Sequence, residues 1–283
     1  MINTGTKRRN IAFFGIKRSG NHALQNWILH QVPERTCVFN QAEIGINPIN
    51  THHFRVHQNK ELAYNGRRLF GATYDGPVEN NSIFYTYENV QLGLIKGGIP
   101  MGKNNLLSMS PFDYNANIMV LRDPFNMMAS LFIDYRRAKA SRMWPPPDTY
   151  IDMWKAHAKE FLGATSFLQS PIDSDTLKVC ISYNDWFTSE EYRRTISKNM
   201  NLQFNDDGLQ YVNRFGEGSS FDDQKYKYDA QKMKVLERWK QLEEYPEWKE
   251  LLSKMLSDDE IVSYAKEIFK NHISEILEER REK

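Results

Sequence analysis

The sequence is poor in several things, and each shortage excludes a class. Only two cysteines occur among 283 residues. Cys37 and Cys180 each sit inside an apolar run, which argues for two core thiols rather than a disulfide framework or a metal pair. Neither sign of charge is in excess: Lys plus Arg is 37, Asp plus Glu is 36, and the formal net charge is +1. A general nucleic-acid binder would carry a large basic surplus, so no nucleic-acid partner is expected and positive charge has to be read site by site. No apolar run is long enough to span a bilayer, and the opening stretch "MINTGTKRRNIAFFG" has basic residues without the apolar stretch of a signal peptide. These features lead us to expect a soluble, cytoplasmic protein with no membrane span. Internal repeats and low-complexity tracts are missing. The pair His52-His53 has no acidic or cysteine partner at ligand spacing, so no metal is expected. The length suits one large domain with a sizeable core.

What is present begins with "FFGIKRSGNHALQNW", residues 13–27. The apolar run at 11–14 ends at Gly15, consistent with a buried parallel strand. Leu24, Trp27 and Ile28 then recur at helical spacing until Pro33. Gly15 and Gly20 have the spacing of a phosphate loop, but a nucleoside triphosphatase would follow Gly20 with Lys and Ser or Thr. Here Asn21 and His22 follow, and the cations Lys17 and Arg18 lie inside the loop. A strand-to-helix turn offers backbone N–H groups and the positive end of a helix dipole to an anion. Lys17 and Arg18 add charge, and Ser19, Asn21 and His22 add donors. The missing Lys-Ser/Thr pair argues against a magnesium–triphosphate ligand.

A second strand–turn–helix unit is "NIMVLRDPFNMMASLFIDYRR". Residues 118–121 read as a strand, Asp123 as a helix cap and Pro124 as its first turn. Arg122 ends the strand, at the edge where open α/β sheets hold ligands; it could equally pair with Asp123 beside the cap. Ser130 follows two helical turns later. A third strand is expected at 178–183, with Thr188 and Glu191 forming a capping box for the next helix. "SIFYTYENV", 82–90, is another strand, and "WPPPD", 144–148, is a proline turn before a helix carrying Ile151, Trp154, Phe161 and Leu162. Residues 40–116 otherwise read as short strands and long loops. The last helix is expected to start near Ser257 and to bury Ile261, Ile268 and Ile276. Strands alternating with helices give an α/β fold with a central, mainly parallel sheet flanked by helices and a helical C-terminal part.

Taken together, "RSGNH" and "LRDPFNMMAS" resemble the sulfotransferases that use 3′-phosphoadenosine 5′-phosphosulfate. The resemblance implies a P-loop-like fold in a single domain over 1–283. It places the donor-binding core at about 9–33, 80–140 and 176–240, acceptor-side insertions at about 40–80 and 135–165, and C-terminal helices at about 230–283. It implies that Arg18 to His22 bind the 5′-phosphosulfate and that Arg122 and Ser130 bind the 3′-phosphate. "ISYNDW" looks like the strand end whose Tyr contacts adenine, which points to Tyr183, although Asn184 stands where that family has an acid. "FGEGSSFDD" resembles the loop that lines the nucleotide, implying Ser219, Ser220 and Phe221. "ERWK" matches the late arginine on the 3′-phosphate, implying Arg238.

The function implied is sulfuryl transfer without a metal to a hydroxyl, less readily an amine, of a small-molecule acceptor. The resemblance makes Arg18 the catalytic cation and Glu88, at the end of its strand, the general base. His52, His53 and His57 are rival bases, and His157 reads as a packed or surface histidine. The polar stretch 40–80, with Tyr64 and Tyr74, suits a carbohydrate or other polyhydroxyl acceptor. A P-loop small-molecule kinase and a catalytically silent nucleotide-binding protein are the alternatives; the first would need magnesium, and the second would bind the bisphosphate without turnover.

Overall fold

The computed structural model describes residues 8–42, 53–58, 61–67, 82–90, 114–138, 146–163, 176–212, 219–223 and 225–279. Its centre is a seven-stranded sheet. The strands are β1 (Arg9–Gly15), β2 (Thr36–Asn40), β3 (His53–Gln58), β4 (Glu61–Arg67), β5 (Ser82–Glu88), β6 (Tyr114–Leu121) and β7 (Thr176–Ser182), in the spatial order β4-β3-β2-β5-β1-β6-β7. The pairings β2–β5, β5–β1, β1–β6 and β6–β7 are parallel. β3 and β4 extend the β2 edge as antiparallel strands. The expected sheet is therefore present, with two added antiparallel strands from the segment read as short strands and loops.

Among the described residues the helices are α1 (Asn21–Leu29), α2 (Pro124–Ala138), α3 (Thr149–Leu162), α4 (Tyr183–Thr188), α5 (Glu190–Asn199), α6 (Pro246–Ser257), α7 (Asp259–Phe269) and α8 (Ser274–Glu279). None is long and apolar enough to cross a membrane. Two cores flank the sheet. On one side Ile11, Phe13, Phe84 and Ile118 pack against Leu24, Trp27 and Ile28 of α1 and Trp186 and Ile196 of α4 and α5. On the other, Leu121, Phe125 and Phe132 pack with Ile151 and Trp154 of α3 and with Trp248, Ile261 and Ile268 of the C-terminal helices. Each such aliphatic or aromatic side chain contributes about 1.5–3 kcal/mol by leaving water.

Two boundaries differ from the sequence reading. Thr188 closes α4, its hydroxyl donating to the Asn184 carbonyl, and Ser189 caps α5 by accepting from the Tyr192 N–H. Thr and Ser both cap well; the extra short helix at 183–188 moves the start along by one residue. The expected last helix is broken at Lys270, whose φ is 44°, yet Ile261, Ile268 and Ile276 are all buried. Cys37 is buried and Cys180 half-buried, both unbonded to sulfur; burial pushes the Cys180 thiol up to about 12.

The carboxyl ends of the central strands come level. Gly15 is in register with Glu88 on one side and Val120 on the other, and Leu121 with Ser182. The turns after β1, β5, β6 and β7 therefore open on one edge. Asp123 fixes the turn after β6. Its carboxylate accepts from the Asn126 N–H at 2.8 Å, as a cap, and from Asn184 Nδ2 at 2.9 Å. Asp123 and Asn184 are both fully buried, so Asn184 ties the end of β7 to the start of α2. Replacing it by alanine leaves a buried carboxylate short of a donor. We expect Asn184→Ala to lower unfolding free energy by about 1–3 kcal/mol, read from urea denaturation; an unchanged midpoint would show that this tie is not needed.

Candidate functional site

Four turns meet at this edge. The first, Ile16–Gly20, is held in an uncommon shape. Arg18 has φ 68° and Gly20 φ 86°, and a side chain at 20 would meet the Tyr183 ring at 2.0 Å. Left-handed geometry at an arginine costs free energy and is kept where its surroundings enforce it. Here Asn89, itself left-handed at φ 61°, accepts from the Lys17 N–H at 2.9 Å and donates its own N–H to the Gly15 carbonyl at 3.0 Å. No side chain caps α1, so its N-terminal dipole faces the loop uncapped.

The loop side chains divide in two. Ser19 and Asn21 turn inward. Ser19 is fully buried with its hydroxyl on the Met127 sulfur at 3.4 Å. Asn21 Nδ2 donates to the Ile16 carbonyl at 3.1 Å and to Glu88 Oε1 at 3.4 Å, and its Oδ1 lies where a Cβ on residue 15 would be, 2.3 Å away. That contact is why residue 15 is glycine. His22, in the first turn of α1, is half-buried. Lys17 and Arg18 reach the other way, to Asp134 of α2. The Arg18 guanidinium grips both Asp134 oxygens through Nε and Nη2, and Lys17 Nζ stands 3.5 Å from Oδ2. Burial pulls the Lys17 pKa down, with Asp134 opposing and Arg18 reinforcing the shift.

The second group is assembled around α2. Arg122 Nη1 donates to the Arg18 carbonyl at 3.2 Å and to Ser130 Oγ at 3.4 Å, and Nη2 to the Val235 carbonyl. Arg238 donates to Ser130 Oγ and Ser219 Oγ, both at 2.8 Å, and its guanidinium carbon is 5.1 Å from the Phe221 ring centre. Tyr183 closes the group: its ring centre is 5.0 Å from the Arg122 guanidinium carbon, and its edge covers Gly20. Asn126 delivers Arg238, accepting from the Arg238 N–H at 2.8 Å and donating to the Leu236 carbonyl at 3.0 Å. Arg122, Ser130, Tyr183, Ser219, Phe221 and Arg238 are thus one cluster, drawn from four distant parts of the chain. Ser220 sits beside it, buried, its hydroxyl without a partner among the described residues.

The electrostatics of this cluster are unusual. Arg122 is 2 % and Arg238 6 % exposed. Among the described residues both are hydrogen-bonded by hydroxyls and backbone carbonyls, and both keep a buried Nε without a partner. Among the described residues no carboxylate forms a salt bridge with either. Asp123 does not pair with Arg122; it bonds Asn126 and Asn184 instead. Burial and then the neighbouring Arg122 pull Arg238 down to about 9, and burial lowers Arg122 as well. Asp123 and Asp222 act on the pair only from a distance; two adjacent buried cations without a salt bridge are costly, and a polyanion is what would relieve them.

Glu88 ends β5 beside the loop. Burial lifts its pKa above the ordinary carboxylate value, against the opposing pull of Lys17, Asn21 and Arg18. Tyr150 of α3 is raised by burial and then by Glu88 and Asp134, which brings a phenol to the same corner. Of the rival bases, His52 lies outside the described residues. His53 and His57 lie on β3, three inter-strand spacings from β1, or about 14 Å. His157 is packed, with Nδ1 on the Met153 carbonyl at 2.8 Å. Sequence reasoning missed Asn89, Asn126 and Asp134. One signal was available: Arg122 is followed by Asn126, Ser130 and Asp134 at four-residue steps, one face of a helix.

No protein-family model matches the chain, and no curated protein matches it. Among solved structures, a crystal structure of mouse sulfotransferase SULT7A1 complexed with PAP is similar at 11 % identity and a TM-score of 0.45, covering 97 % of this chain and 88 % of that one. The sulfotransferase domain of the Synechococcus PCC 7002 olefin synthase is similar at 12 % identity and a TM-score of 0.42, covering 96 % and 98 %. At these scores the residue roles have to be argued from the site itself.

Glu88 yields a test that needs no ligand. Its pKa is raised by folding, so its ionised form destabilises the folded chain. The penalty is present above the folded pKa, fades as pH falls through it, and is gone below the unfolded value near 4.5. Glu88→Gln should therefore raise the thermal midpoint at neutral pH and lose that advantage in acid. A lowered midpoint at pH 7 would mean that the carboxylate's contacts with Lys17 and Asn21 outweigh its burial.

Proposed function

We propose that the chain transfers a sulfuryl group from 3′-phosphoadenosine 5′-phosphosulfate to a hydroxyl, less readily an amine, of a polar acceptor such as a carbohydrate, releasing adenosine 3′,5′-bisphosphate. The observation that carries this reading is the buried Arg122–Arg238 pair, which among the described residues has no salt bridge to a carboxylate. It stands apart from the loop that carries Lys17 and Arg18, and the Arg18 carbonyl joins the two. A triphosphate would want one continuous cradle with Lys and then a magnesium-binding hydroxyl after Gly20, where this chain has Asn21 and His22. Two separate anion positions suit a nucleotide phosphorylated at two separate positions. Arg122, Ser130 and Arg238 would hold the 3′-phosphate, with Ser219, Ser220 and Phe221 beside the nucleotide and Tyr183 against its base. The α1 amides, Lys17 and Arg18 would hold the phosphosulfate.

In the transfer step an acceptor oxygen forms a bond to sulfur as the bond from sulfur to the 5′-phosphate oxygen breaks. The electron pair leaves with the phosphate, where Arg18, Lys17 and the helix dipole stabilise it. The acceptor proton passes to Glu88, whose raised pKa suits a base better than an ordinary carboxylate would. Positioning does most of the rest, as in phosphoryl transfer. Glu88 and Tyr150 stand on the acceptor side, and the stretches 40–80 and 135–165 would complete its wall.

Two measurements test this. Calorimetry in excess chelator should show tight binding of adenosine 3′,5′-bisphosphate, and Arg122→Ala should weaken it by about 2–4 kcal/mol while adenosine 5′-phosphate hardly changes. Equal losses for both nucleotides, or far stronger stabilisation by ATP with magnesium, would reject the assignment. With a sulfate-accepting substrate in hand, Glu88→Gln should lower kcat by about 10² to 10⁴, abolish the acidic limb of the pH profile and leave donor affinity intact. Near-normal turnover would move the base elsewhere.

A further inference from the structure

The two anion positions differ in one respect that the transfer reaction does not require. Among the described residues the Arg122–Arg238 pair has no salt bridge to a carboxylate, whereas Lys17 and Arg18 already have one. Asp134 presents both oxygens to Nε and Nη2 of Arg18, the fork-to-fork geometry that a sulfate or phosphate would adopt on the same guanidinium. Lys17 Nζ sits 3.5 Å from the same carboxylate. The carboxylate and the Lys17 side chain are each 11 % exposed and Arg18 is 22 % exposed, so the pairing is shielded from salt far better than a surface bridge. Asp134 extends from α2 one helical turn beyond Ser130, on the face that supplies the other anion position.

We infer that Asp134 is a specificity-determining residue: its carboxylate occupies the oxyanion position of the loop cations, keeping free sulfate and phosphate out while yielding to an anion tethered to a nucleotide. At the loop a free ion must displace a partner fixed in the same chain, and an ion held at Arg122 and Arg238 does not help it there. A phosphosulfate carried on a nucleotide arrives differently. Once the 3′-phosphate is held by Arg122 and Arg238, its other end meets the loop at an effective concentration set by the short tether, on the millimolar scale or above. Asp134 can then be displaced by the tethered group at a concentration where a loose anion fails. The second half of this inference rests on the function proposed above; the first half, exclusion of free oxyanions, does not.

The experiment compares wild type with Asp134→Asn, and with Asp134→Ser in case the asparagine amide bonds in the carboxylate's place. Sodium sulfate and adenosine 3′,5′-bisphosphate are titrated separately and in competition, with sodium chloride at matched ionic strength as the control. Circular dichroism and the unliganded thermal midpoint establish that each variant folds. We expect wild type to take up one sulfate, at the Arg122–Arg238 pair, and to leave the loop closed to a second. In the variants a second sulfate should bind at the loop, about tenfold tighter or more than on wild type, as expected when a competing buried charge is removed. Unchanged or weaker sulfate binding in both folded variants, with bisphosphate binding intact, overturns the role of Asp134 and leaves the proposed function standing. Two sulfates taken up by wild type at matched ionic strength overturn it even if no variant folds. Tightened sulfate binding with no bisphosphate binding by any of the proteins upholds the exclusion and overturns the nucleotide reading.

Discussion

Two guanidiniums lie buried beside each other and, among the described residues, neither forms a salt bridge with a carboxylate; much of the molecule's layout answers to that fact. A cation removed from water without a counter-charge needs every available dipole. Arg122 takes the carbonyls of Arg18 and Val235 and the hydroxyl of Ser130; Arg238 takes the hydroxyls of Ser130 and Ser219. These partners lower the cost without cancelling the charge, so the potential at the cluster stays positive. The scaffolding around it is correspondingly stiff. Trp154 of α3 donates to the Arg122 carbonyl at 2.9 Å, Asn126 pins the segment that carries Arg238, and Asp123 is locked by Asn126 and Asn184. A site prepared in this way spends little reorganisation when its anion arrives.

The loop works by the opposite arrangement. Its cations are compensated by Asp134 and neighbour Glu88, so the four side chains Lys17, Arg18, Glu88 and Asp134 sum to no net charge when all are ionised. An incoming phosphosulfate that draws Lys17 and Arg18 away would leave Glu88 and Asp134 facing each other with less cationic support. Asp134 already acts to raise the Glu88 pKa, while Lys17 and Arg18 act to lower it. On the proposed reading, donor binding would therefore strengthen the base at the moment the acceptor needs it. One anion position anchors through permanent imbalance; the other is balanced until the donor disturbs it.

Sequence reading did well where the signal was local. The run Ile11–Phe14, the glycines at 15 and 20 and the helical spacing of Leu24, Trp27 and Ile28 report one strand–turn–helix unit directly. Arg122, Asp123, Pro124 and Ser130 report the second, because a capped helix fixes which residues share a face. Arg238 was legible only through a resemblance, since its arrival depends on the Asn126 side chain and on the Arg122 bond to the Val235 carbonyl, neither of which has a local pattern. Asn89 and Asp134 escaped for the same reason: one is an ordinary residue after a strand, the other an ordinary acid on a helix, and each matters through a partner more than 70 positions away. The antiparallel strands β3 and β4 were hidden in a polar, aromatic-rich stretch whose pairing is decided by the edge of β2 rather than by its own periodicity.

Asn21 shows why a departure from a familiar motif need not weaken a site. At this position a hydroxyl would reach toward a bound anion, and an asparagine looks like a loss. Its amide instead turns back under the loop, donating to the Ile16 carbonyl and to Glu88, and its oxygen takes the space that residue 15 leaves by lacking a Cβ. Gly15, Asn21 and Glu88 are thus one interlocked set, with Gly15 and Glu88 also paired across β1 and β5. The backbone amide of Asn21 remains at the start of α1, where the dipole serves an anion whatever the side chain does. The side chain is released to orient the carboxylate proposed as the base, which couples the geometry of the donor loop to that of the acceptor side. An alanine at 21 would leave the amide in place and cut that coupling, separating two functions that a hydroxyl residue could not separate.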